Sequence, residues 1–144
     1  SSLTAVTINV KVVLGKDSPN LLEIKNRLQS YSLNCDLLVD IENMEELLLD
    51  ADLAIAAGGM NSWERCCLGL PTLIKLSAKN QIDNIASLEK SGAVVVWDTE
   101  GDLKNKLNSM ILDNNSISTI ENSAFSICDG KGTERVTQEI INAT

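Results

Sequence analysis

Residues 51–71 read ADLAIAAGGMNSWERCCLGLP, and this stretch decides the fold. Its apolar start, Leu53–Ala56, predicts a short buried strand that runs into Gly58-Gly59 and then into a helix over Trp63–Leu68. A strand–glycine–helix junction leaves backbone N–H groups free at the positive end of a helix, and glycine lets an anion approach the backbone closely. A Gly-Gly pair is also common in tight turns, so the predicted phosphate site needs support from the rest of the chain.

The same alternation of strand and helix continues on both sides of the junction. Apolar, partly β-branched runs predict the strands Val6–Leu14, Leu33–Val39, Leu53–Ala56, Pro71–Leu76 and Ala93–Trp97. Amphipathic runs predict helices after Ser18-Pro19, over Glu42–Asp50, Trp63–Leu68 and Gln81–Lys90, and then near Leu103–Ile111, Ile117–Ile127 and Glu134–Ile141. Ser18 is the predicted N-cap of the first helix. The pattern indicates an α/β fold with a doubly wound, Rossmann-like parallel sheet, and we interpret residues 1–144 as one domain.

The predicted sheet brings several loops to one edge. In open parallel sheets, ligands bind beyond the carboxyl ends of the strands. The loops at Gly15, Asp40–Ile41, Ala57–Asn61 and Ser77–Gln81 all follow predicted strands. Their expected convergence is a second argument for a nucleotide site.

The composition narrows the classes of partner. The chain has a net charge of −8, and hydrophobic residues make up 44% and aromatic residues only 3%. Nucleic acids and anionic membranes select basic surfaces, so we expect neither as a partner. Because neither a leader peptide nor an apolar run of membrane-spanning length is visible, the expected compartment is the cytoplasm.

The chain lacks residue types and spacings that many catalytic and metal-binding sites require. The chain has no histidine, which is the commonest acid–base group at neutral pH. Its four cysteines, at positions 35, 66, 67 and 128, lack C-x-x-C spacing, so we expect reduced, mostly buried thiols. Asp50 and Asp52 have no further ligands at suitable spacing, so we expect no metal and no cofactor.

Ordered motifs give the chain a family resemblance. ADLAIAAGG, SWERCCLGLP, the Asn-Gln pair at 80–81, LEKSGA and DGKG at 129–132 resemble the carboxyl-terminal half of the UDP-sugar hydrolases of pseudaminic acid synthesis. These have the GT-B fold and are related to the peptidoglycan N-acetylglucosaminyltransferase that makes lipid II. The resemblance implies a domain that binds UDP or a UDP-sugar in the synthesis of nonulosonic acids or surface polysaccharides. It also implies a catalytic amino-terminal GT-B domain as partner.

The resemblance implies a role for individual residues. The backbone of Ile41 would read the uracil edge, Met44 would pack near the base, and Glu64 would accept hydrogen bonds from the ribose hydroxyls. The remaining residues would border the diphosphate and the sugar: Gly15, Gly58, Gly59, Met60, Asn61, Ser62, Asn80 and Gln81.

Two features depart from this family. Its loop usually reads Gly-Gly-Ser-Thr-Ser-Trp-Glu, whereas Met60 and Asn61 replace the first serine and the threonine here. Met60 thereby removes one hydroxyl that would donate to phosphate. The family's catalytic histidine belongs to the amino-terminal domain, so we expect the chain by itself to have no hydrolase activity.

Alternative interpretations of the same residues remain open. Asn61 and Glu64 have capping-box spacing, so Glu64 would instead accept a hydrogen bond at the start of a helix. Trp63 is interpreted as a packing residue. Lys75, Lys79 and Arg65 are interpreted as solvated or ion-paired side chains, with contact to phosphate as the alternative. For the whole domain, the alternatives are a glycosyltransferase of the same fold and a non-catalytic, flavodoxin-like interaction module.

Overall fold

The computed structural model describes residues 7–31, 34–59, 61–77 and 81–143. In chain order the elements are β1 (Asn9–Leu14), α1 (Leu21–Leu28), β2 (Asn34–Val39), α2 (Met44–Leu49), β3 (Ala54–Ala57), α3 (Asn61–Cys67), β4 (Thr72–Lys75), α4 (Ile82–Lys90), β5 (Val95–Trp97), α5 (Glu100–Leu112), α6 (Asn114–Ile127) and α7 (Gly132–Asn142). The chain divides into two compact units, Ser1–Met44 (unit 1) and Glu45–Thr144 (unit 2). Within the described ranges, no helix combines the length and apolarity that a membrane crossing requires.

Unit 1 is built on a pair of parallel strands. β1 and β2 pair from Asn9 opposite Asn34 to Leu14 opposite Val39, with α1 as the connection between them. Among the described residues of this unit none is fully buried. A single helix on two strands has little surface with which to enclose an apolar side chain, so this is the physically expected outcome.

The first helix begins later than the sequence predicts. The predicted N-cap, Ser18, lies in a turn, where its N–H donates to the Gly15 carbonyl and its own carbonyl accepts from the Leu21 N–H. Asn20 occupies the N-cap position of α1 without a side-chain hydrogen bond. The Ser18 prediction is therefore wrong, because this turn uses the serine backbone before the helix begins.

Unit 2 contains a three-stranded parallel sheet with β4 in the centre. Ala57 pairs with Lys75 on one side of β4, and Lys75 pairs with Trp97 on the other. Helices connect the successive strands. Parallel strands with helical connections in both units confirm the predicted Rossmann-like α/β class.

The core of unit 2 lies on both faces of β4. Leu73 and Ile74 are completely buried, and neighbouring strand residues point to opposite faces of a sheet. Ile74 belongs to a cluster with Cys66, Ile85, Leu88, Ala93, Val94 and Ala124. Leu73 belongs to a second cluster with Met110 and Ile120. The first cluster uses α3, α4 and α6, and the second uses α5 and α6, so the sheet is covered on both sides.

Side-chain caps set the starts of two C-terminal helices. The Thr99 hydroxyl accepts from the Asp102 N–H at 3.2 Å, and α5 begins at Glu100. The Asp113 carboxylate accepts from the Asn115 N–H at 3.0 Å and from the Ser116 hydroxyl at 2.8 Å, and α6 begins at Asn114. These bonds hold the pKa of Asp113 below its usual range, chiefly through Ser116. Both helices start about a turn before the first apolar residue, since polar caps rather than apolar spacing define a helix start.

Gly69 fits a site that no other residue can occupy without strain. It has φ +65°, and a Cβ built on it would overlap the ring of Phe125 from α6. We expect Gly69→Ala to lower the free energy of unfolding by about 2–4 kcal/mol, because left-handed strain and overpacking add. Gly130→Ala is the matched control, since Gly130 has φ +72° and its Cβ would lie 3.8 Å from the nearest atom, the Cys67 Sγ. Equal losses in denaturant unfolding of the two variants would contradict the Phe125 contact.

Candidate functional site

The glycine pair follows directly from the end of β3. The Gly58 N–H donates to the Lys75 carbonyl at 3.0 Å, which extends the β3–β4 ladder by one bond. A Cβ on Gly58 would lie 3.1 Å from the Gln81 Oε1 and 3.2 Å from the Ile85 Cγ1, closer than most real contacts. Gly58 is therefore required by the packing of α4 against the sheet.

Gly59 has more open space around it. Among the described residues only the Gln81 Nε2 approaches the position of a Gly59 Cβ, at 4.0 Å. The Gln81 Oε1 also accepts from the Ser77 N–H at 3.4 Å, so this amide contacts the loops after both β3 and β4. The structure thus brings the glycine pair and Gln81 together, as the expected convergence of loops requires within unit 2.

Met60 and Asn61 connect the glycine pair to the rest of α3. Met60, Lys79 and Asn80 lie outside the described residues, so their predicted roles stay predictions. Asn61 is the first residue of α3, and its side chain is exposed. α3 has only seven residues, so its dipole is a weaker source of positive potential than that of a long helix.

The Ser62 hydroxyl is buried and has a protein partner. Ser62 is 1% exposed, and its Oγ accepts from the Arg65 Nη2 at 3.1 Å. A hydroxyl covered in this way offers little surface to a ligand. The Ser62 N–H already donates to the Gly59 carbonyl at 3.0 Å, so neither this backbone donor nor the covered hydroxyl is readily available to a phosphate.

Arg65 is a buried cation without a carboxylate partner among the described residues. It is 7% exposed, and its Nε has no hydrogen-bond partner. Burial lowers the pKa of Arg65 from its ordinary value. The expectation of a solvated or ion-paired side chain is wrong here, because Arg65 shares the buried face of α3 with Ser62 and Cys66. Ser62, Arg65 and Cys66 have the i, i+3, i+4 spacing of one helix face, so the sequence already indicated that Arg65 shares a face with its buried neighbours.

Glu64 has the opposite environment. Its carboxylate is exposed and has no hydrogen-bond or ion-pair partner within the described part of the chain. In a capping box the Glu64 carboxylate would accept from the Asn61 N–H. The structure shows no hydrogen bond between these two residues. Glu64 therefore has two free acceptor oxygens close to the glycine pair in sequence.

Two further side chains near the carboxyl edge of the sheet contact each other. The Lys75 Nζ lies 4.6 Å from the ring centroid of Trp97, in the range of a cation–π contact. Lys75 is exposed, as expected for a solvated side chain, and the ring of the neighbouring strand is an additional partner. Trp63 packs against the core cluster of Ile74, which confirms its interpretation as a packing residue.

Comparison with known proteins assigns the chain to a family. The model of the glycosyltransferase family 28 C-terminal domain matches residues 2–132. The chain belongs to this family. The GT-B type of α/β fold is thereby confirmed.

Two curated relatives match parts of this family 28 domain. The spore coat polysaccharide biosynthesis protein SpsG of Bacillus subtilis is 26% identical over 87 residues, which are 60% of this chain and 25% of SpsG. An uncharacterised protein of Methanocaldococcus jannaschii is 37% identical over 68 residues, which are 46% of this chain and 14% of that protein. No solved structure matches the chain significantly. The chain thus spans a quarter or less of the length of these two relatives.

The remaining candidate residues of the family 28 domain belong to unit 1. Gly15 follows β1 and is exposed, and no described atom lies within 4 Å of where its Cβ would be. Ile41 is half-buried two residues after β2, and Met44 is the exposed first residue of α2. Between them and β2, Asp40 has φ +52°, and its N–H donates to the Leu14 carbonyl at 2.9 Å. Gly15 and Ile41 therefore follow the same carboxyl edge of the β1–β2 pair.

The two glycines of the junction should respond differently to a methyl group. We expect Gly58→Ala to lower the free energy of unfolding by about 1–2 kcal/mol, because the Gln81 amide and Ile85 would have to shift. Gly59→Ala should change it by less than about 0.5 kcal/mol. Urea unfolding of both variants checks this, and an equal loss at the two positions would contradict the described packing.

Arg65 should contribute little to stability despite its burial. We expect Arg65→Met to leave the free energy of unfolding unchanged or to raise it by about 1–2 kcal/mol, because an incompletely paired buried charge is replaced by an apolar chain of similar length. Lys75→Met, at an exposed cation, is the control for the change in net charge. A loss of more than about 2 kcal/mol in Arg65→Met alone would show that the guanidinium stabilises the fold.

Proposed function

We propose that this domain binds the UDP portion of a UDP-sugar, as part of a UDP-sugar hydrolase in nonulosonic acid or surface polysaccharide biosynthesis. The observation that carries the proposal is the exposed carboxylate of Glu64, which has no hydrogen-bond or ion-pair partner among the described residues and lies five residues after a glycine pair whose second member is open. Membership in a glycosyltransferase family supports a nucleotide-sugar ligand. The relative named for spore coat polysaccharide biosynthesis supports the polysaccharide context.

The diphosphate would be held by backbone groups rather than by hydroxyls. Gly58 already donates its N–H to Lys75, and Ser62 donates its N–H to Gly59, so the donors of the loop would come from Gly59, Met60 and Asn61. The buried charge of Arg65 adds positive potential beside this loop, and burial weakens its screening by water. A negatively charged ligand would add to the favourable interaction of Arg65 with the Glu64 charge, and the Arg65 Nε has no hydrogen-bond partner among the described residues. These features together explain how a chain of net charge −8 would accommodate an anion.

The ribose and the sugar would use two further side chains. Glu64 would accept from both ribose hydroxyls, since a carboxylate offers two acceptor oxygens. The Gln81 amide, which already borders both glycines, would lie near the sugar hydroxyls together with Asn80. The roles that the resemblance implies for Gly15, Ile41 and Met44 in unit 1 stay predictions.

In the proposed hydrolase, water attacks the anomeric carbon of the sugar and UDP leaves. This domain would stabilise the departing diphosphate through preorganised N–H donors. The chain has no histidine, so the group that activates the water would belong to the amino-terminal domain of the proposed enzyme. Membership in a glycosyltransferase family favours a second candidate, a glycosyltransferase in which an acceptor hydroxyl replaces the water. Product analysis of the whole protein with and without acceptor separates the two, and family membership speaks against a flavodoxin-like interaction module.

Glu64→Gln tests the ribose assignment. We expect calorimetry with UDP to give a wild-type Kd on the order of 0.1–1 mM, typical of a ligand that is only partly enclosed. The variant should bind about 5- to 100-fold more weakly, because charge-assisted bonds to the ribose hydroxyls are lost. Its unfolding midpoint should change little, because within the described residues the Glu64 side chain makes no hydrogen bond or ion pair, and only its electrostatic interaction with Arg65 is lost.

Two controls make this result specific. Glu121→Gln removes the same charge from an exposed position on α6 and should leave UDP affinity unchanged. 2′-Deoxyuridine diphosphate should bind the wild type more weakly than UDP does but should bind Glu64→Gln with little further loss. An equal loss in both proteins would show that Glu64 is not the partner of the ribose.

A further inference from the structure

Two cysteines that are distant in sequence meet in unit 2. Cys67 is the last residue of α3, and Cys128 is the C-cap residue of α6. Their Sγ atoms are 2.7 Å apart, although 61 positions separate them in the chain. A disulfide bond joins sulfurs at about 2.05 Å, so closing it requires the two atoms to approach by only about 0.7 Å, together with rotation of the side chains.

The turn after α6 holds Cys128 in place. The Asp129 carboxylate accepts from the Lys131 N–H at 3.0 Å and from the Arg135 Nη1 at 2.6 Å, which ties the turn to the start of α7. Gly130 has φ +72°, and its Cβ position is 3.8 Å from the Cys67 Sγ. The hydrogen bonds of the α6–α7 connection therefore keep the two sulfurs close together, so their contact does not depend on an unrestrained loop.

The other two cysteines are in different situations. Cys66 is 1% exposed and packs in the cluster of Ile74, so an oxidant in solution cannot reach it without local unfolding. Cys35 lies on β2 in unit 1. Cys67 and Cys128 are both half-buried, so a small oxidant can reach one member of the pair.

We propose that Cys67 and Cys128 form a modification site, a dithiol that a small-molecule disulfide such as oxidised glutathione converts into a disulfide joining α3 to α6. One thiol of the pair loses its proton to solvent, and its thiolate attacks a sulfur of the glutathione disulfide and releases one glutathione. The second thiol then loses its proton and attacks the mixed disulfide, which releases the other glutathione. Two protein thiols are thus oxidised by two electrons, and one glutathione disulfide is reduced to two glutathione molecules.

The environment of the pair sets the rate of this exchange. The hydrogen bond to Cys128, followed by burial, raises the pKa of Cys67 to about 11, so its thiolate is scarce at neutral pH. Exchange is therefore slow in a reducing medium and speeds up as the pH rises. This agrees with the expectation of reduced thiols under reducing conditions and limits the disulfide to sustained oxidation.

The disulfide would act on the helix that follows the glycine pair. α3 also carries Ser62, Glu64 and Arg65, and α6 already packs against it. A covalent link between their ends removes conformations from the unfolded chain and restrains the carboxyl end of α3. The proposal concerns the thiols alone and stands whether or not the domain binds a nucleotide.

Redox titration of the chain tests the proposal. In buffers of increasing ratio of oxidised to reduced glutathione, the folded wild type should lose the thiols of Cys67 and Cys128 together, whatever adduct forms at the half-buried Cys35. Peptide mapping after alkylation should find one linkage, Cys67 to Cys128, and the oxidised protein should unfold roughly 5–10 °C higher than the reduced one. Cys35→Ser should retain both the linkage and the shift, whereas Cys67→Ser and Cys128→Ser should each lose both.

The wild-type measurement is decisive by itself, even if a serine variant folds poorly. Free thiols at Cys67 and Cys128 in the folded protein after prolonged exposure to oxidised glutathione at pH 8.5 would overturn the proposal. Stable mixed disulfides at Cys67 or Cys128, or a linkage between any other pair, would overturn it as well.

Discussion

Burial of β4 on both faces is the constraint on which the rest of unit 2 depends. Leu73 and Ile74 are adjacent and completely buried, so helices must cover both sides of the strand. α4 is packed so closely on one side that a Cβ on Gly58 would require Gln81 and Ile85 to shift. The shape of the glycine junction at the end of β3 therefore follows from the packing of a neighbouring strand.

The buried Arg65 contributes positive potential at this junction. The chain is acidic, yet Arg65 is enclosed on the inward face of α3 and donates to Ser62. Enclosing a guanidinium without a carboxylate partner costs free energy that a fold selected for stability alone would avoid. The arrangement is consistent with a requirement for positive potential beside the glycine pair, and Glu64, on the exposed side of the same helix, keeps its acceptor oxygens free.

Much of the architecture could be predicted from local sequence. The order of strands and helices and the parallel class follow from apolar periodicity, because period 2 and period 3.6 are properties of neighbouring residues. Helix starts were less predictable: Ser18 is not an N-cap, while Thr99 and Asp113 begin α5 and α6 about a turn before the first apolar residue. Capping depends on where the backbone turns, and several polar residues in each loop compete for that position.

The sequence by itself determined the α/β class and the glycine junction, because each depends on residues close together in the chain, whereas the role of Glu64 was implied only by the family resemblance and stays a prediction. Only the tertiary structure decided that Arg65 is enclosed without a carboxylate partner and that Glu64 is not a capping residue. It alone decided that the Gln81 amide borders both glycines and that Cys67 meets Cys128. These facts depend on which distant segments pack together and on the side-chain rotamers that packing selects, and a local pattern of residue types encodes neither.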